Sequence, residues 1–582
     1  MYSNFANYKV KIRPTPFNGK SGVHSKSTAA ISFYSENKKE IDYIELAFIT
    51  TEEIYYKIDN GEDIILDECY IENFSLNDYR KSRKLTDETM IDLNNFSSIG
   101  TFYDSRHETD FSYANFLNHQ LSFNQSIFIN GQVNFHKAKF NDGIKNFINI
   151  IFKNGHVDFS NVDFGSGKVD FKNTIFCAGD KDFKHANFGS GDISFVNTEF
   201  GKGNVYFINT NFCEGNVSFK VARFNTGDVN FQFAHFKKGD ISFEKTEFGE
   251  GKVDFRKVEF DEGKVNFNRS KFGKGEIAFD GSQLILSRMT FKKSHLGSGV
   301  LTFEEAEYGD SEVLFDDTDF GDCNVYFGKS LFNKLSLTSC QINKHIDFKV
   351  SKCNYLNLSD TIVRDIIDFS SYNHTVNISC LNIAGMRLIG QIYIDWFDNN
   401  LKNIITKQVE TNDIQKAEQF RILKENFSRI GNYKYEDLAY IQFKRYEQKD
   451  HLNTILNSSR INLITKYPFH LFKWIVVDKM GLYATSPARV LRSVFIVYLS
   501  FSFLHITCPY IMNTAISCIH PESSFIMRVL DTLYYSLITF STVGYGDCTP
   551  TGFLKFIASI EGFIGPFMLS YFTVAFVRKI LR

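Results

Sequence analysis

Phenylalanine recurs along this chain with a regularity that organises the rest of the reading. From Phe111 to Phe327 one stands at every twelfth position, nineteen times out of nineteen. A second series, five residues later from Phe116 to Phe332, is interrupted only by Leu284, Leu296 and Tyr308. Two residues before the first Phe comes a branched residue, as at Val157, Val169, Ile193 and Val253; two before the second comes a small one, as at Ala186, Thr198, Ala222 and Thr246. A glycine often precedes the branched residue by two, as at Gly155, Gly167 and Gly191. Residues i and i+2 of an extended segment share a face. Each unit therefore predicts two short inward-facing strands joined by a glycine turn. The pattern continues irregularly through Ile342, Phe348, Cys353, Leu358 and Phe369 to about residue 395. Residues 1–70, with runs such as KVKIRPTPF and IDYIELAFIT, predict the strands of a cap, which an array of repeats needs at its open end.

Segments such as VDFKN and TEFGE, small or branched at i−2 and Phe at i, resemble the pentapeptide-repeat family. The two additional residues per unit, commonly Gly-Lys or Gly-Asp, depart from its strict period. The resemblance implies a right-handed four-sided β-helix over residues 71–400, with a regular core at 111–332. One turn is expected to take two units, about 24 residues, because a single unit hardly houses two Phe and a Val. At a strand spacing of about 4.8 Å the regular part would be roughly 45 Å long. Some members of that family imitate DNA by being strongly acidic. Residues 157–283 carry 17 Lys/Arg against 19 Asp/Glu, a difference of −2, so these charges are expected to solvate the outer faces.

From residue 401 the period changes. Phe420, Leu423, Phe427 and Ile430, ending at Gly431, predict an amphipathic helix, and KYEDLAYIQFKRYEQK a second, with Tyr435, Leu438, Ile441 and Phe443 or Arg445 on its faces. A helical hairpin packed on the end of the β-helix is expected, within a connector spanning 401–488. Its last part, YPFHLFKWIVVDKMGLYATSPARV, mixes aromatics with Lys466, Lys473, Lys479 and Arg489, as suits an interfacial helix on the cytoplasmic side of a membrane. Residues 493–512 and 556–577 are then almost uncharged and long enough to span a bilayer. Arg489 and Arg492 precede the first span and Arg578, Lys579 and Arg582 follow the second, which predicts both termini in the cytoplasm. The N-terminus carries no signal-peptide pattern.

Between the spans, the apolar run 529–540 is too short to cross and leads into Thr542, Val543, Gly544, Tyr545, Gly546 and Asp547. This hexapeptide and its two flanking spans resemble the two-span potassium channels, over residues 489–582. The resemblance implies a selectivity filter in which backbone carbonyls of Thr542, Val543, Gly544 and Tyr545 bind K+. The Thr542 hydroxyl would complete the innermost site. Tyr545 would wedge the filter against the short helix, and Asp547 would cap the outer mouth. Gly544 and Gly546 tolerate the positive φ that such a strand needs. One chain supplies one strand, so three identical subunits are the implied partners, with the bilayer of the plasma (inner) membrane around them. No cofactor is expected beyond the K+ ions. Two other readings stay open: a related potassium uptake transporter, which usually carries four degenerate filter segments in one chain, and a membrane-anchored scaffold with a vestigial pore.

Gly562, Gly565 and Pro566 lie in the second span, either as a gating hinge or as a packing surface against the short helix. Glu561 is a carboxylate within a span, expected either to face the cavity or to hold the filter from behind. No span carries regularly spaced arginines, so no voltage sensor is expected. No residue follows Arg582 in this sequence, so control is expected from the N-terminal side, through a partner or ligand of the β-helix. Composition adds exclusions. Lys+Arg 65 against Asp+Glu 67 argues against a nucleic-acid partner. The mean hydropathy of −0.21 conceals the two spans. Phe 62 demands a large regular interior. The ten cysteines include no CxxC pair. Cys508 and Cys518 fall on the outer side, where pairing between them is left open, and Cys548 is expected to be accessible to thiol reagents. No Ser/His/Asp or paired-carboxylate set and no phosphate-binding GxxxxGK loop is present, so an enzyme is not expected.

Overall fold

A computed structural model describes residues 5–20, 22–129, 131–370, 375–457, 460–512, 514–520 and 522–581, with the side chains of 460–463 left aside. Arg582, counted above among the flanking cations, lies outside them. The chain forms two compact units, Met1–Gln408 and Val409–Arg582.

The first unit is a β-solenoid. Val133 pairs in parallel with Val157, Val157 with Lys181 and Lys181 with Val205, so one coil takes 24 residues, two sequence repeats. Four columns of strands result. One is a 13-stranded sheet running from Glu108–Asp110 to Gln391–Tyr393. The Phe periodicity has a direct packing cause. Residues one full coil apart stack face to face, as Phe111 and Phe135 do at 4.9 Å and 5°. Residues half a coil apart meet edge-on across the interior, as Phe111 and Phe123 do at 5.5 Å and 87°. Both geometries suit the aromatic quadrupole. The small position before the second Phe has its own reason: Thr174, Thr198, Thr210 and Thr246 donate their hydroxyls to buried backbone carbonyls, Thr198 Oγ1 to Phe171 O at 2.9 Å.

Glycine at the corners is required by contact as well as by dihedral. At Gly203 (φ 110°) an added Cβ would lie 2.3 Å from the carbonyl oxygen of Gly179, one coil below. A second corner, two residues after each first-series Phe, is left-handed and, Gly281 apart, falls on non-glycine residues, among them Asn173 (φ 57°), Val221 (φ 61°) and Phe233 (φ 57°). The branched inward column is filled twice by lysine. Lys145 and Lys181 are fully buried, and their ammonium groups donate to backbone carbonyls, Lys181 Nζ to Lys202 O at 2.9 Å. Burial brings both pKa values down to about 8. On the outer faces, opposite charges meet between successive coils, as in Arg223 with Glu199 and Glu247 and Lys271 with Glu247. Such exposed pairs contribute little each.

The cap is an antiparallel sheet of Asn7–Arg13, Thr28–Tyr34 and Glu40–Ile49. Its last strand pairs in parallel with Cys69–Glu72, which pairs with Phe102–Asp104, so the cap runs into one solenoid face without a break. Two helices not expected from the sequence accompany it: α1 (Thr51–Asp59), entered by a Thr50–Glu53 capping box, and α2 (Leu76–Ser82). At the other end a short helix, α3 (Leu401–Thr406), packs its Leu401, Ile404 and Ile405 into the same unit. The boundary thus falls at 408, and α3 goes with the solenoid, not with the connector that the sequence places from 401 onward.

The second unit begins with α4 (Asp413–Arg429), entered through an Asn412–Gln415 capping box and stopped by Gly431 at φ 76°, and α5 (Tyr433–Leu456). Phe420, Leu423 and Phe427 are buried as their spacing predicts. On α5 the buried residues are Glu436, Asp437, Ala439, Ile441, Gln442 and, near its end, Ile455, a more polar set than the expected one. Next come α6 (Arg460–Phe472), a π-helical stretch Lys473–Met480 and a tight turn Leu482–Ala484. Three helices close the chain: α7 (Pro487–Met512), α8 (Phe525–Phe540) and α9 (Leu554–Ile580). Among the described residues, α7 and α9 are the two helices long and apolar enough to cross a membrane.

Candidate functional site

The short helix α8 is started by Ser524, whose hydroxyl accepts from Met527 N, and ends at Phe540. Its C-terminal turn delivers the chain into residues 542–547. Val543 N donates to Ile538 O at 2.9 Å, so this segment hangs from the last turn of the helix. The partial negative charge of a helix C-terminus favours a cation there. Positive φ occurs at Thr542 (55°), Gly544 (50°) and Gly546 (82°), every second residue. The two glycines were anticipated; the left-handed Thr542 was not. Nothing lies within 4 Å of a Cβ placed on Gly544 or Gly546, so dihedral freedom, not crowding, is what glycine supplies. Within one chain Tyr545 is 74% exposed and Val543 50%. Asp547 accepts from the Tyr534 hydroxyl of α8 at 3.0 Å, tying the end of the segment back to the helix.

The loops on this side are held together. Ser517 N donates to Thr549 O at 2.9 Å and Thr551 N to Ala515 O at 2.8 Å, and Cys518 is disulfide-bonded to Cys548. This answers a question left open and corrects one expectation. Cys508 is not the partner of Cys518; it is a buried free thiol on α7. Cys548 is not an open thiol. The residues from 514 onward fold back beside 548–551, which brings Cys518 rather than the helical Cys508 to Cys548.

Behind the segment, Glu561 of α9 is completely buried. Its carboxylate accepts from Ser536 Oγ of α8 at 2.5 Å and lies 2.8 Å from His505 Nε2 of α7. The geometry puts it at the meeting of three helices, α7, α8 and α9. His505 and Ser536 were not singled out from the sequence. A lone histidine in an apolar span was the available signal, since a buried ionisable group needs a partner. Close by, the Tyr498 hydroxyl donates to Leu533 O at 2.9 Å, joining α7 to α8 once more.

The two candidate hinge glycines differ. A Cβ on Gly565 would sit 1.8 Å from Phe540 O, whereas on Gly562 the nearest atom is Thr539 O at 3.8 Å. Gly565 is thus a close-packing residue against α8, and helix α9 continues through Pro566.

At the other end of α9, Arg578 and Lys579 both reach Asp437 of α5, at 3.3 and 2.8 Å. Arg578 also donates to Tyr483 O at 3.0 Å and lies over the Tyr440 ring. Asp478, buried in the π-helical stretch, receives a two-pronged contact from Arg445 of α5, 3.0 Å from Nε and 2.8 Å from Nη2. Gly481 abuts Tyr571 of α9, with a Cβ there only 2.0 Å from the phenol oxygen. The connector and the second span are therefore joined by charge, hydrogen bonds and close packing.

Comparison with curated proteins and with solved structures finds no match. A family model described as an ion channel matches residues 493–582, from the first span to the end of the chain. The C-terminal part of this membrane protein is an ion-channel domain, carried on the same chain as a β-solenoid.

Proposed function

We propose that the chain is one subunit of a homotetrameric, potassium-selective channel in the plasma (inner) membrane, with both termini cytoplasmic. The observation that carries this reading is the segment 542–547. It is irregular backbone with alternate positive φ, exposed in the single chain, between two helices of membrane-spanning length. Such backbone is tolerated at membrane depth only where protein buries it or it lines a pore. Four copies around one axis would meet that condition. Carbonyls of Thr542, Val543, Gly544 and Tyr545 would then replace the hydration shell of K+, the transported ion. The side chains of Tyr545 and of Phe563, 80% exposed, would find neighbours on the adjacent subunits. Glu561, with His505 and Ser536, would hold α8 in place from behind.

The β-solenoid serves assembly or gating in this reading. The junction of α5 with the end of α9 through Asp437, Arg578 and Lys579 supports a narrower point: the connector that follows the solenoid in the chain is tied to the second span, so a displacement of α5 would pull on it. The test is ion flux from proteoliposomes, K+ against Na+, for native protein and a Gly544→Asp variant. Potassium flux well above sodium flux, abolished by the substitution, is expected. Native flux no greater than that of the variant would favour a scaffold with a closed, vestigial pore.

A further inference from the structure

A second site lies in the connector. Between α5 and the chain running from α6 to Tyr483 is a cavity of about 690 Å³. Its wall carries Lys444, Lys466 and Lys473, together with His451 and His470. Against three lysines stands one carboxylate on the same wall, Glu447, already 2.7 Å from Lys444 Nζ. The lining is thus left with two excess positive charges (3 − 1) before either histidine is protonated. Lys466 and Lys473 make no ion pair among the described residues; the Lys473 ammonium lies over the Phe469 ring, 4.7 Å from its centroid. The two imidazoles meet edge-on, their centroids 6.4 Å apart. Burial, then the positive charge of His451 and Lys473, holds the His470 pKa below its ordinary value, as crowding of like charges requires.

An independent observation points the same way. Tyr483, on the same wall, is only 7% exposed, and its hydroxyl has no hydrogen-bond partner among the described residues. A buried hydroxyl left without an acceptor is destabilising until something accepts its hydrogen. Two lysines without an ion pair among the described residues, a third paired to Glu447, and an unused donor describe a site for an anion that offers several acceptor oxygens.

We propose that this cavity binds a phosphate-bearing ligand, with Lys444, Lys466 and Lys473 meeting its charge and the Tyr483 hydroxyl donating to one of its oxygens. A lone carboxylate carries too little charge and too few acceptors for this lining, and the volume is that of ordinary small-molecule sites. The phosphate has two sources consistent with the geometry: an anionic phospholipid headgroup or a soluble phosphorylated compound. The neighbouring surface of α6 and the π-helical stretch exposes Ile464, Phe469, Phe472 and Trp474, which suits a lipid interface. An occupant would touch the segment whose Tyr483 carbonyl holds Arg578 of the second span. The site does not depend on which ion the channel selects.

The experiment uses the full-length protein in phosphatidylcholine nanodiscs and measures saturable retention of two labelled probes. One is phosphatidylglycerol mixed into the disc; the other is inorganic pyrophosphate in solution. At least one probe is expected to bind, about tenfold more weakly to a Lys466→Gln/Lys473→Gln variant and about fivefold more weakly to Tyr483→Phe. Lys402→Gln, an equal charge change per residue at an exposed position of the other unit, leaves binding unchanged. Retention of phosphatidylglycerol alone assigns a headgroup, of pyrophosphate alone a soluble ligand, and of both the shared chemistry. No saturable binding of either probe overturns the proposal, as does an equal loss with Lys402→Gln. If the double variant does not fold, Tyr483→Phe decides: unchanged affinity overturns the site.

Discussion

Lys181 stands in a column whose members one coil below and above are Val157 and Val205. It is buried, its folded pKa is about 8, and its ordinary value is 10.5. Below pH 8 the charged form is carried in both folded and unfolded states, at a cost to the folded one on the order of 3 kcal/mol. Between pH 8 and 10.5 the unfolded chain holds more protons, so stability rises with pH and the cost disappears. Lys181→Val is therefore expected to raise the melting temperature at neutral pH, with the gain shrinking across that window; a gain independent of pH would contradict this account. The Phe columns were legible residue by residue from Phe111 to Phe332, because one rule of twelve covers that regular part; the coils beyond it shorten to 21 residues, as between Phe327, Phe348 and Phe369. The lysines in the branched column were not assigned a place, since nothing local separates a buried lysine bonded to carbonyls from a solvated one. Glu561 was recognised as unusual from its surroundings in the chain, but its partners lie 25 and 56 residues away.

Among elements, α8 and α9 show how a packing requirement can be mistaken for flexibility. The spacing of Gly562, Gly565 and Pro566 is equally compatible with a hinge and with a contact surface. The structure separates the two glycines, since only Gly565 meets the Phe540 carbonyl. Gly565→Ala must push α9 away from α8, and overpacking of this kind typically costs about 1–3 kcal/mol. We expect it to lower the thermal stability of the purified channel, while Gly562→Ala is tolerated. Equal stability of the two variants, with equal changes in open probability, would instead favour a hinge. Helix ends with capping residues, such as α4 at Asn412 and Gly431, could be read from the chain. The buried face of α5 could not, because Glu436 and Asp437 lie where periodicity favours apolar residues, and the cations that face Asp437 belong to α9.

For the whole molecule, the arrangement that matters is a repeat domain followed by a connector bound to the end of an ion-channel domain. Asp437 holds two cations with its carboxylate mostly buried, so its removal takes the counter-charge from both, although Arg578 keeps its bond to Tyr483 O. Asp437→Asn is expected to change open probability by about fivefold or more, an energy on the order of 1 kcal/mol, with unitary conductance and ion selectivity unaltered. Single-channel recording measures both quantities. Unchanged open probability would remove the connector from the account of gating.

The sequence alone determined the repeat that builds the solenoid, the two spans and the segment between them, while the coil of two repeats, expected from the chain, was settled by the strand pairing. Each follows from a local period or composition that any chain with this pattern must satisfy to bury its apolar groups. Tertiary structure decided which groups separated in sequence come to share a space: Cys548 with Cys518, Glu561 with His505 and Ser536, Asp437 with Arg578 and Lys579, and the lysines around Tyr483. Those pairings depend on how helices pack, and packing is set by the shapes of many side chains together, which no single stretch of the chain encodes.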